Sequence, residues 1–173
     1  MDDVRRLEPD DLDALYALRL HALASDPDAF QRTLAEEEER GPAHLARVLA
    51  DGEGAVFGAF SDGRLTGMVG IYRDAPVKWR HKAQVWGMWV DGAERGRGLG
   101  GRLLDMAIAH ARTLPGVTQV GLSVEAGRAD ALRLYRSRGF AAWGTEPRGM
   151  RDGDRFMDDV YMWLALERRE LPE

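Results

Sequence analysis

The sequence predicts an α/β domain in which strands and helices alternate around a mixed sheet, with hairpins early and late. Three observations predict it. The apolar period changes along the chain from helical spacing to strand-length runs and back. A glycine-rich turn separates a run that is apolar on both faces from an amphipathic stretch. Hairpin chemistry sits at Ser61-Asp62-Gly63-Arg64, with a second turn-rich stretch around Asp152-Gly153-Asp154.

Taken in order, Val4 to Leu7 reads as a short strand. Asp10 or Asp11 then caps a helix whose apolar positions (Leu12, Leu15, Tyr16, Leu20, Leu23) form a helical stripe. Asp26-Pro27-Asp28 breaks it. Phe30 to Arg40 carries the run Glu36 to Glu39, Gly41-Pro42 interrupts, and Ala43 to Leu49 is helical again. Ala55 to Phe60 and Leu65 to Tyr72 flank the first hairpin turn. His81 to Val90 suits a central strand covered on both faces. A helix runs from about Gly98 to Arg112 and stops at Pro115-Gly116. Val117 to Val124 is a strand, Ala129 to Arg138 a helix capped by Gly139, and Phe140 to Trp143 and Val160 to Leu166 are the final strands.

The 173 residues suit one domain, 1–173, with helices over about 10–50, a core over about 55–140 and last strands over about 140–167. A formal charge of -5 argues against a nucleic-acid partner. The chain has no cysteine, and its His residues (His21, His44, His81, His110) have no metal-ligand spacing, so no metal is expected. Met1-Asp2-Asp3 begins no signal segment and no apolar run is long enough to span a bilayer, so the expectation is a cytoplasmic protein with no membrane partner.

The most informative stretch is Arg95-Gly96-Arg97-Gly98-Leu99-Gly100-Gly101, between a strand and a helix. Glycines let a backbone approach a ligand closely. The first helical turn leaves N–H groups without internal partners, and these favour a phosphate. Arg95 and Arg97 add positive charge. The alternative is an ordinary glycine-rich turn. Gly96-x-Gly98-x-x-Gly101 also has dinucleotide-fingerprint spacing, with Glu125 as ribose partner, but it follows three strands rather than opening a βαβ unit.

The segment resembles motif A of the GNAT superfamily of N-acetyltransferases, Q/R-x-x-G-x-G/A, here Arg95-Gly96-Arg97-Gly98-Leu99-Gly100. Met88-Trp89-Val90-Asp91 is similar to the family's preceding strand. Leu122-x-Val124 followed by Ala131-x-x-Leu134-Tyr135-x-x-x-Gly139-Phe140 is similar to its later motif. Asp28-Ala29-Phe30 with Glu36 to Glu38 resembles the acceptor-side region of small bacterial members. The resemblance implies a mixed, mostly antiparallel sheet of about seven strands whose central strands splay. It implies acetyl-CoA as cofactor, with the diphosphate on the amides of Gly96 to Gly101 and the pantetheine arm along Met88 and Val90. A bulge near the end of the Trp86 to Val90 strand would produce the splay.

The reaction implied is transfer of an acetyl group to a primary amine of a small molecule or peptide, by direct attack with both substrates bound. Tyr135 is the candidate acid toward the coenzyme sulfur; a core aromatic is the alternative. Many members carry a Glu eleven residues before the motif-A Arg, where this chain has Gln84. Glu125 is then the candidate base, with Glu36, Glu37 and His81 as other titratable options. Arg128 stands where many members have Asn and is assigned to a cofactor phosphate. Phe30, Glu36, Glu37 and Trp86 are assigned to the acceptor side. A non-catalytic acyl-CoA-binding module and a nicotinamide-dependent oxidoreductase are the rival readings, and a homodimer through the last strands is a further expectation.

Overall fold

The computed structural model describes residues 3–166. The ends of the expected 1–173 domain, with residue 167 of its last strand region, lie outside the described residues. In chain order the elements are β1 (Asp3–Arg6), α1 (Leu12–Ser25), α2 (Leu34–Arg40), α3 (Ala43–Ala50), β2 (Ala55–Ser61), β3 (Arg64–Arg73), β4 (Lys82–Val90), α4 (Leu99–Thr113), β5 (Gln119–Glu125), α5 (Ala129–Ser137), β6 (Ala141–Asp152) and β7 (Arg155–Ala165). All seven strands enter one sheet in the order β1-β2-β3-β4-β5-β7-β6. Among the described residues only β4 and β5 pair in parallel, so the sheet is mixed and mostly antiparallel.

Local chemistry explains the boundaries. Asp62 (φ 50°) and Gly63 (φ 79°) both take left-handed dihedrals, as a two-residue turn between right-twisted strands requires. α2 starts at Leu34 rather than at Phe30. Thr33 accepts the Glu36 N–H while the Glu36 carboxylate accepts the Thr33 N–H at 2.8 Å, a reciprocal cap. Gly139 (φ 89°) ends α5, donating to the Arg136 carbonyl at 3.0 Å.

The sheet is covered on both faces. One face buries Phe57, Val69, Ile71 and Val85 against α4 (Leu99, Leu103, Leu104, Ile108) and α5 (Leu132, Tyr135). The other buries Val56, Met68 and Trp89 against α1 (Leu15, Leu18) and α3 (Leu45, Leu49). The period-two alternation of each central strand sends successive side chains to opposite cores.

The C-terminal hairpin is longer than expected, with 12 residues in β6 and 11 in β7. Its outer half is a solvated edge carrying Glu146, Arg148 and Arg151, so no apolar run announces it. The pairing shifts between Glu146 and Met150, and Arg148 takes φ 59° there.

The feature that builds the site is the failure of β4 and β5 to stay paired. Their ladder holds only Lys82 to Gln119, Ala83 to Val120 and Gln84 to Gly121. Beyond it the strands diverge. β4 carries an irregularity against β3 between the Gly70–Trp86 and Met68–Trp89 pairs, and Gly87 within it has φ 62°. That bulge bends β4 away from β5. Gly70 makes room for the displaced Trp86, since a Cβ there would lie 2.0 Å from the indole ring.

Candidate active site

The divergence opens a slot through the sheet that joins the two covered faces. A narrow cavity of about 70 Å³ at the slot is lined by Met88 and Gly87 of β4, Ser123 and Glu125 of β5, Asp159 of β7 and Tyr135 of α5. A larger groove of about 1150 Å³ continues over the α1 to α3 face, past Phe30, Trp86 and Gln84 to Trp143 and Tyr161. Phe30, Trp86, Gly87 and Ser123 line both.

The glycine turn lies behind Met88 of the cavity wall, whose side chain would be 3.3 Å from a Cβ on Gly100. Gly96 (φ 80°) and Gly98 (φ 77°) adopt left-handed conformations, and a Cβ at either would meet nothing within 4 Å, so the turn is open. Gly98 is the N-cap of α4, whose first turn carries no acidic residue. Among the described residues, the N–H groups of Gly96, Gly98, Leu99, Gly100 and Gly101 donate to no backbone carbonyl. Five donors at a 15-residue helix start, with no carboxylate in the first turn, fit a diphosphate. Leu99 offers only its backbone, since its side chain is buried in the core. Gly101 packs under the Arg138 guanidinium.

The arginines are organised differently from expectation. Arg97 pairs with Glu94. Arg95 donates from Nε to the Val90 carbonyl at 2.9 Å and reaches Asp26 at 3.2 Å. Arg128 grips Asp26 through both terminal nitrogens, at 2.7 and 2.8 Å. Arg128, with Arg95 adding to it, holds the Asp26 carboxyl below the usual carboxylate range against its burial. Asp26 thus ties the α1 terminus to the turn and to the start of α5, a role that a lone Asp before Pro27 does not announce.

Tyr135 is 6% exposed and edge-on to Phe140. Burial pushes its hydroxyl up to about 12, so it stays protonated at any physiological pH. Across the cavity, Glu125 accepts the Gly127 N–H at 2.8 Å. Its register partner on β7 is Asp159, 4% exposed. Burial pushes the Asp159 carboxyl up; a hydrogen bond from Ser123 opposes this, and the charges of Glu146 and Glu125 push it further up. Gln31 in turn donates to Ser123 at 3.2 Å. A buried carboxylate with a raised pKa, beside a second acid, is a stronger proton acceptor than an ordinary aspartate.

Two acceptor-side assignments are corrected. Glu36 spends its carboxylate on the α2 cap and lines neither cavity. Glu37 is 0% exposed. Its Oε1 accepts Arg19 Nε at 2.7 Å and lies 2.8 Å from His44 Nε2. Burial opposes its ionisation, but Arg19, His44 and Arg40 outweigh that and hold its pKa below the usual value. The stabilisation is therefore present at neutral pH and fades as pH falls through the lowered pKa. Glu37→Gln should cost about 3–5 kcal/mol in urea unfolding, because it strands the buried Arg19 charge; a change under about 0.5 kcal/mol would deny the ion pair that role. His81 also lines neither cavity. Gln84 donates to Asp74 at 2.8 Å and lies over Gly121, closing the slot where the ladder ends.

The model of the acetyltransferase (GNAT) family matches residues 14–140, covering β4, β5, the glycine turn and Tyr135 together. The chain belongs to the GNAT acetyltransferase family. Among curated relatives, it is 32% identical over 139 residues to a mycothiol acetyltransferase of Brachybacterium faecium, which covers 80% of this chain and 40% of that one. It is 33% identical to the mycothiol acetyltransferase of Thermobispora bispora, covering 81% and 46%. The chain thus spans less than half the length of these relatives. A ribosomal-protein-alanine N-acetyltransferase from Brucella melitensis superposes with a TM-score of 0.81 at 28% identity, covering 95% of this chain and 99% of that one. A putative acetyltransferase from Salmonella typhimurium with its cofactor acetyl-CoA gives 0.84 at 23% identity, covering 100% and 98%, a likeness of fold. The GNAT sheet also removes the oxidoreductase rival: a dinucleotide fold needs several adjacent parallel strands, and among the described residues this sheet has a single parallel pair. No helix among the described residues is long and apolar enough to cross a membrane.

Proposed function

We propose that this single GNAT domain transfers an acetyl group from acetyl-CoA to a primary amine. The observation that carries the reading is the slot itself, with Tyr135 and Asp159 on its wall, the groove continuing from it past Phe30, Trp86, Gly87 and Ser123, and the glycine turn packed behind its Met88. The amides of Gly96 to Gly101 would hold the diphosphate, and Met88 of β4 would flank the arm. Acetyl-CoA when bound supplies an activated acyl carbon, on which a C–N bond forms as the C–S bond breaks, the free thiol leaving with the amine's last proton.

The chain's own groups do the rest. Asp159, rather than Glu125, takes the first proton of the ammonium, through Ser123 or a bridging water, and passes it to solvent. Glu125 contributes the neighbouring charge that keeps Asp159 basic. Tyr135 donates a hydrogen bond to the departing sulfur. A thiol has a reference pKa of about 8.5, so a phenol near 12 stabilises the sulfur's charge without surrendering its proton outright. Arg128 and Arg95, tied through Asp26, set the position of α5 against the turn. A cytoplasmic setting belongs to this reading. So does a homodimer through the edge strand β6, where Trp143 is 66% exposed.

Thiol release from acetyl-CoA, measured with a panel of amines, tests the proposal. Amine-dependent release is expected. Saturable acetyl-CoA binding with no release on any amine would instead support a non-catalytic acyl-CoA-binding module.

A further inference from the structure

The two ends of the site carry opposite charge. The wall of the large groove presents Arg19, Arg32, Arg40 and Lys82 against one carboxylate, Asp51. Asp51 turns one oxygen to its own turn, accepting the Glu53 N–H at 2.9 Å. Among the described residues, Arg32, Arg40 and Lys82 enter no salt bridge, and the Lys82 ammonium rests over the Trp79 ring at 4.7 Å. In a chain of net charge -5, a cationic wall is a local departure from the whole.

Arg19 is the deepest of these cations, 6% exposed. Its Nε is satisfied by Glu37, and its guanidinium lies 5.6 Å from the ring centres of both Phe30 and Trp86. Its Nη1, though buried, has no hydrogen-bond partner. A Cβ built on Gly87 would find that nitrogen as its nearest neighbour, at 3.5 Å. An unsatisfied charged donor is therefore aimed at the bulge that both cavities share. Such groups are costly unless something completes them. At the Tyr135 end, the wall instead carries Glu125 and Asp159, while Asp28 there pairs with Arg155 and the charge of Arg128 is spent on Asp26.

We propose that the acceptor is a primary amine bearing a carboxylate or phosphate at its far end, joined by a body that lies between Trp86 and the outer aromatic residues. This rests on the acetyl-transfer reading. The carboxylates near Tyr135 draw the ammonium to the reacting end, and the cations draw the acid outward. The reverse orientation brings like charges together, so the polarity of the site selects the productive pose. A groove of about 1150 Å³ exceeds what a single small amino acid fills. Polyamines and aminoglycosides, which place further cations on the cationic wall, are disfavoured.

The test uses matched pairs: ω-amino acids, acidic dipeptides and aminoalkyl phosphates, each against its neutral amide or ester, with spermidine as the cationic reference. Binding is read by calorimetry with coenzyme A at saturation, and turnover by thiol release. The acid of each pair should bind about ten-fold more tightly than its neutral partner, the effect of a few solvent-screened charges together. The ratio should shrink in high salt and in the double variant Arg40→Gln, Lys82→Gln. Equal binding of acid and neutral forms, tighter binding of spermidine, or no binding of any acid overturns the inference. Loss of thiol release on every amine, with the acid preference in binding intact, overturns the transfer reading and leaves the charge selection standing.

Discussion

Tyr135→Phe should lower kcat by about 10²–10³-fold while leaving acetyl-CoA affinity within about two-fold. The hydroxyl opens on the slot and makes no hydrogen bond to any described residue, so removing it takes away nothing that holds the fold. The phenylalanine ring keeps the packing on Phe140. Because burial places the phenol at about 12, the wild-type enzyme should show no alkaline fall in kcat from this group below about pH 11. Steady-state kinetics with a calorimetric affinity measurement separates the outcomes. Unchanged kcat would reduce Tyr135 to a core aromatic, and a parallel loss of affinity would make it part of the cofactor platform.

Asp159→Asn should lower kcat/KM by about 10²–10³-fold at neutral pH, and should do so without destabilising the protein. The second half of this expectation follows from linkage. The folded-state pKa of Asp159 is raised above its unfolded value, chiefly by burial. The folded state therefore binds the proton more tightly than the unfolded one, and stability falls as pH rises through that window. At neutral pH the buried charge is a cost, and asparagine, neutral and able to keep the Ser123 hydrogen bond, removes it. Thermal unfolding should show an equal or higher Tm for the variant. The acid limb of the wild-type pH-rate profile should lie above the ordinary aspartate range and vanish in Asp159→Asn. A variant as active as wild type, or one that loses activity only by unfolding, would return the base to Glu125 or to water.

Much of this site is written in local sequence. The turn from Arg95 to Gly101, the hairpin at Asp62-Gly63, and the spacing from Leu122 to Tyr135 and Phe140 depend on dihedral demands and periodicities that short windows contain. Gly87, between two tryptophans in an apolar run, carries the bulge that the expected splay needs. What local reading misses is decided by partners far along the chain. Glu37 stands in a run of four glutamates that reads as a solvated helix face, yet Arg19, 18 residues earlier, pulls that one carboxylate into the core. Asp159 follows Asp158 in a charged stretch without strand periodicity, and only its β7 pairing with Glu125 carries it to the slot. Asp26 looks like a helix stop, while Arg128, 102 residues later, makes it a brace. Charged residues are buried by pairing, and pairing is a tertiary fact.

The most direct measurement is an atomic structure of the protein with acetyl-CoA. The diphosphate is expected on the backbone amides between Gly96 and Gly101, the arm between β4 and β5 beyond the Gln84–Gly121 pair, and the thioester sulfur within hydrogen-bond reach of the Tyr135 hydroxyl. A ligand bound elsewhere on the surface, or a sulfur directed away from Tyr135 with the slot filled by side chains, would contradict the account.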